Sequence, residues 1–192
     1  MKNFEKKISN LNPDLWDSSL NHILKQMKGK PLNIHKLMAN HPTLLGAWWN
    51  FRNHSVSGGS LGNRKGELVI LRVSVHLKSW YEWASHVDRA LHCGLTLEEI
   101  RNVNSPLSES DWKTDEFLLL LAVDELISLR SISVKTYNKL KKYFNDQQIM
   151  DIVAIHGMYI ILGCLINIYD LNLDTDIASR LPETIVKNDL IV

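Results

Sequence analysis

The chain has 192 residues, of which 45% are hydrophobic and 22% charged, so it suits one good-sized folded core and excludes disordered or fibrous classes. Its 22 Lys and Arg against 21 Asp and Glu leave a formal charge of +1, and no global field exists to gather nucleic acid or an anionic membrane surface. Cys93 and Cys164 stand far apart with no CxxC, which predicts buried reduced thiols rather than a disulfide framework or a zinc cluster.

In chain order, "MKNFEKKISNLNPD" is charged and lacks the apolar stretch of a secretory signal, and a cytoplasmic protein is expected. Turn signals at "NLNPD", "KGKP", "NHP" and "SVSGGSLGN" punctuate the first third. Gly58, Gly59 and Gly62 in the last of these do not form a nucleotide-binding fingerprint, and the segment reads as a mobile loop able to act as a lid. Residues 64–93 are helical and heavily apolar, and Gly94 closes that stretch. Thr96 with Glu99 forms a capping box, and Ser133 can cap "VKTYNKLKKYF". Residues 115–129 and 151–169 are apolar on most faces, as core helices are, and no strand alternation interrupts them. The apolar run 154–169 is shorter than the ~20 residues a bilayer requires, so no membrane partner is expected. A weak internal echo sets "GELVILRV" beside "IMDIVAIH", pairing Glu67 with Asp151.

Chemistry concentrates in "KSWYEWASHVDRALHCG". Helical spacing puts Ser79, Glu82, His86, Arg89 and Cys93 on one stripe, flanked by Trp80, Trp83, Ala84, Val87 and Leu91. Glu82 and His86 are four residues apart, so they are expected to touch and to exchange a proton near neutral pH; the same spacing also suits an ordinary pair that satisfies two polar groups at an interface. Arg64 and Arg72 flank Glu67 and are open to pairing with it, to a structural ion pair, or to a substrate carboxylate. Trp48, Trp49, Trp80 and Trp83 suit a ring-binding pocket, the core or a subunit contact. His76 lies on a different face from Glu82, and no spacing completes a metal site.

From "NHPTLLGAWWNFR" onward the sequence resembles the carboxymuconolactone decarboxylase family, which has the alkylhydroperoxidase D-like fold. The specific motif is E-x11-S-x2-E-x3-H: Glu67, Ser79, Glu82 and His86. The resemblance implies an all-α helical bundle in one domain, residues 1–192, with an N-terminal helical extension over 1–34, the main family match over 35–175 and a C-terminal tail over 176–192. It implies a homo-oligomer as well, a dimer, trimer or hexamer. In the peroxidase branch the Ser79 and Glu82 positions hold a CxxC pair. Their replacement here removes the redox sulfurs from the site.

What remains is a proton-transfer set. The resemblance therefore implies a lyase or isomerase for a small organic acid or lactone, working without a cofactor. His86 is expected as the principal acid–base group, Glu82 as its partner or an independent donor, and Glu67 as relay or orienter. Ser79, Arg72 and Trp83 are expected to meet substrate. Two alternatives stay open: an oligomeric binding protein whose stripe is packed shut, and a thiol peroxidase using Cys93 or Cys164.

Overall fold

The computed structural model describes residues 8–190, apart from the side chains of 188 and 189, and among these residues all regular structure is helical. Residues 1–7, at the start of the expected N-terminal extension, and 191–192, at the end of the expected tail, lie outside the described residues. Ten α-helices run in chain order: α1 Asn21–Gln26, α2 Asn33–Met38, α3 Pro42–Val56, α4 Asn63–His76, α5 Trp80–His92, α6 Leu97–Val103, α7 Thr114–Leu129, α8 Val134–Leu140, α9 Asp146–Tyr169 and α10 Thr175–Ala178. Several ends follow local sequence. Thr96 and Glu99 close a reciprocal capping box at 3.1 and 2.8 Å, Ser133 Oγ accepts from the Thr136 amide, and Gly94 ends α5 in the left-handed region at φ +85°.

The stretch expected as one helical block over 64–93 is two helices. Lys78 adopts φ +51°, and the Ser79 amide reaches back to the Ser74 carbonyl at 2.9 Å, so the chain reverses between α4 and α5. This reversal sets the site, because it lays Glu67 on α4 against His86 on α5.

α9 crosses α3, α4 and α7 and buries Ile152, Ile155, Met158, Tyr159, Leu162 and Ile166 among them. It has 24 residues and by length and composition alone could span a bilayer, a property the shorter apolar run 154–169 did not reveal. Half of its most apolar window is buried inside the fold, as in the core helix of a bundle.

The glycine segment before α4 is not a lid. Gly59–Leu61 form a 3-10 turn in which the Ser60 amide and hydroxyl both donate to Asp151 at 2.6 Å, and Leu61 is buried. Asp151 also holds His54 Nε2 at 2.6 Å, which ties α3, the turn and α9 together. Gly66 on α4 packs directly on this turn: a Cβ there would stand 2.7 Å from the Gly58 Cα, a backbone atom that cannot swing away. Gly66→Ala is expected to lower stability by about 2 kcal/mol, the overpacking cost outweighing the helix-propensity gain, read from the urea midpoint.

Candidate active site

The α4–α5 hairpin brings His86 Nδ1 to 2.6 Å from Glu67 Oε2, with both side chains buried. Arg89, one turn beyond His86, places its Nε 3.3 Å from the other Glu67 oxygen. A carboxylate that accepts from Nδ1–H fixes the ring's orientation and tautomer and leaves Nε2 as its second proton site. Tyr159 from α9 stands edge-on to the ring, with centroids 5.0 Å apart at 87°. Burial, reinforced by Glu67, pushes its phenol well above the ordinary range.

Glu82 does not pair with His86. It is 2% exposed and neither carboxyl oxygen has a hydrogen-bond partner. Burial alone raises its pKa well above the ordinary carboxyl value, so the acid keeps its proton. Space for it comes from Gly163 on α9, where a Cβ would fall 2.8 Å from Glu82 Oε2 and 2.4 Å from Leu77 Cδ1. The expected i,i+4 contact gives way because Glu67, across the hairpin, already holds the imidazole.

Glu82, His86 and Tyr159 line a cavity of about 210 Å³ between α2, α3, α5, α9 and α10. Trp48, Ile34, Leu162, Ile166 and Ile177 supply apolar wall, while His35, Arg52, Tyr81, Asp88, Arg89 and Arg180 supply polar groups. His35 is buried against Trp49, with ring centroids 5.6 Å apart, and its Nδ1 accepts from the Leu32 amide at 3.2 Å. Burial first, and Arg52 second, push its pKa down to about 3, so it is a neutral imidazole with its proton on Nε2. The Tyr81 hydroxyl donates to Asp174 at 2.6 Å and accepts from the Ile34 amide, which fastens the approach to α10 and the start of α2 to the site helix.

Of the residues expected at the site, Glu82 and His86 line the cavity and Glu67 stands directly behind His86. Three others do not reach it. Ser79 is wholly buried at the start of α5, and Trp83 is packed in the core at 1% exposure. Arg72 is clamped by Asp124, Nε to Oδ1 at 2.6 Å and Nη2 to Oδ2 at 2.7 Å, with Nη1 on the carbonyls of Val103 and Ser105. His76 adds its Nε2 to the same Asp124 oxygen at 2.6 Å. Arg64 serves Glu116, Glu99 and the Gly94 carbonyl, so neither flanking arginine pairs with Glu67. Cys93 is half-buried, its thiol pushed up by burial and then by Glu67, while Cys164 is exposed.

Sequence reasoning missed His35, Arg52 and Tyr159. Tyr159 sits in a run of apolar residues, and its polar use depends on a helix 73 positions beyond His86 in sequence. For Arg52, the aromatic cluster before it was a signal for a pocket wall, and only the tertiary fold turns the guanidinium inward.

The helical fold is shared with solved structures. A debrominase, Bmp8, in complex with 2,3,4-tribromopyrrole shares the fold with a TM-score of 0.75 at 13% identity, over 92% of this chain and 96% of its own. An alkylhydroperoxidase AhpD core from Ralstonia eutropha, a peroxidase-related protein, gives 0.74 at 14% identity, over 88% and 94%. A peroxidase-related protein from Silicibacter sp. gives 0.71 at 17% identity, over 90% and 96%. The fold is thus alkylhydroperoxidase D-like. Residues 42–107, which include Glu67, Ser79, Glu82 and His86, match the carboxymuconolactone decarboxylase family. No curated protein matches the chain.

Proposed function

We propose that the protein is a lyase or isomerase that moves protons on a small organic acid or lactone without a cofactor. The observation that carries this reading is Glu82, an unpartnered buried acid that keeps its proton, sharing a cavity with a histidine whose Nδ1 is already taken by Glu67. A buried acid and an imidazole with a free ring nitrogen on one cavity are what acid–base catalysis needs. His86 Nε2 takes a proton from carbon or oxygen, and Glu82 gives one back at another atom of the same conjugated system. In a decarboxylation, CO2 leaves with its carbon–carbon bond broken, the electron pair stays on the conjugated remainder, and Glu82 protonates that carbon. Glu67 and Arg89 position the imidazole. The apolar wall excludes water from the reacting carbon. The debrominase of the same fold holds a small planar ring, a shape comparable to a lactone acid.

A purely binding protein would have its polar stripe packed shut, whereas a cavity of about 210 Å³ lies against Glu82 and His86. The peroxidase-related neighbours suit a thiol reading, which would require Cys93 or Cys164, since Ser79 and Glu82 carry no sulfur. The homo-oligomer that the resemblance implies is supported by an exposed apolar line on α9, Met150, Val153, Ile161 and Ile168. The reading also takes the protein to be cytoplasmic.

Small acids and lactones that raise the melting temperature identify candidate substrates, since a ligand of the native state stabilises it in proportion to occupancy. Incubated with the protein in D2O, a substrate is expected to gain solvent deuterium at carbon, read by NMR. Peroxide consumption that disappears in Cys93→Ser, with no deuterium entering any bound acid or lactone, would overturn the proposal.

A further inference from the structure

Arg52 is a cavity group that proton transfer leaves unused. It rises from α3, half-buried, with its guanidinium carbon 5.0 Å from the Trp49 ring centroid and one hydrogen bond, Nη1 to Asn53 Oδ1 at 3.0 Å. The other two arginines of the wall have counter-ions: Arg89 has Glu67 at 3.3 Å and Arg180 has Asp88 at 3.7 Å. Burial raises the pKa of Glu82 and disfavours its charged form, and it makes no ion pair with Arg52. Among the described residues no carboxylate lies within ion-pair reach of Arg52, and burial, with Tyr159 opposing and Arg89 adding, leaves its guanidinium less readily charged than usual. A partly desolvated cation without a counter-ion is less favourable than a paired one, and an incoming anion lowers that cost.

Its place in the fold points the same way. Arg52, His35 and Leu32 form the partition between the inner cavity and an outer cleft of about 330 Å³, whose wall includes Lys30. Lys30 lies on the cleft side of this partition and Glu82 on the cavity side, with Arg52 lining both. His35, near enough for Arg52 to depress its pKa, offers its Nε2–H as a second donor at the same partition. A guanidinium fork and a neutral imidazole N–H match the two oxygens of a planar carboxylate.

We infer that Arg52 anchors the carboxylate of the ligand, with His35 as second donor, and so holds the carbon skeleton inward against Glu82 and His86. The inference rests on the proton-transfer reading of this cavity, yet it concerns binding and can fail or stand separately. The probes are 2-furoate and its neutral isostere 2-furamide, titrated into the full-length protein and followed by calorimetry and by tryptophan fluorescence, since Trp48 lines the cavity and Trp49 the cleft. The wild type is expected to prefer furoate over furamide by about tenfold or more. Arg52→Gln is expected to weaken furoate by about 10- to 100-fold while furamide changes by less than about threefold, which also shows that the variant folds. Arg52→Lys, which keeps the charge and loses the fork, falls between. Equal affinity for acid and amide in the wild type, or unchanged furoate binding in either variant, overturns the anchor. Arg52-dependent binding with no acid turned over leaves the anchor standing and removes the proton-transfer reading; turnover without Arg52 dependence does the reverse.

Discussion

Glu82→Gln and His86→Gln are each expected to lower turnover by about 10²- to 10⁴-fold, the usual worth of a positioned general acid or base, with the circular dichroism spectrum intact. The two variants part company in stability. The native fold holds the Glu82 proton above pH 4.5, where the unfolded chain has begun to release it. The native state then binds more protons than the unfolded one, and wild-type stability falls as pH rises through that window, by up to about 1.4 kcal/mol per pH unit for one proton. His35 acts with the opposite sign: depressed from 6.5 to about 3, it stays neutral in the native state while the unfolded chain takes up a proton, so it adds stability as pH climbs from about 3 to 6.5. The two slopes oppose each other between pH 4.5 and 6.5, and only the Glu82 slope remains above. Glu82→Gln removes it. The variant is therefore expected to be more stable than the wild type, by a margin that widens with pH up to the Glu82 pKa, in urea melts from pH 5 to 9. A constant margin across that range would mean that Glu82 ionises freely in the native state.

The same residues show how far the sequence could be read. The spacing of Glu67, Ser79, Glu82 and His86 marked the site helix and its acidic partner, but spacing within one helix favoured Glu82 as the companion of His86. The companion is Glu67, because the chain turns back at Lys78 and sets α4 against α5. Periodicity is a local signal, and a left-handed lysine carries none of the glycine signature that usually marks such a reversal. The remaining cavity wall comes from α2, α3, α9 and α10, and its polar members acquire a role only through tertiary contact. α9 is apolar on both its buried and its exposed sides, so no amphipathic pattern says which face meets the site. The Thr96–Glu99 capping box, the Ser133 cap and the all-helical class, being properties of short windows, were legible at once.

Arg72 separates charge that serves the fold from charge that serves the ligand. Its guanidinium satisfies Asp124 with two bonds and two backbone carbonyls at the end of α6, and only 7% of its side chain is exposed. Asp124 also receives His76, so removing the arginine leaves a mostly buried carboxylate with one partner and two carbonyls with none. Breaking one side of such a pair costs about 3–5 kcal/mol in a fully buried setting, and the partial exposure of Asp124 puts the expected loss for Arg72→Met near the lower end, about 3 kcal/mol in urea melts. Arg72 stands outside the wall that holds Glu82, Arg52 and His86, so the affinity of the surviving folded protein for 2-furoate is expected to stay within about twofold of wild type. The comparison with Arg52→Gln is direct, since both changes delete a guanidinium from the same bundle. One is predicted to take away stability and spare the ligand, the other to spare most of the stability and release the ligand. An Arg72 variant that keeps its melting midpoint and loses furoate would return this residue to the substrate and require a different cavity from the one lined by Glu82 and His86.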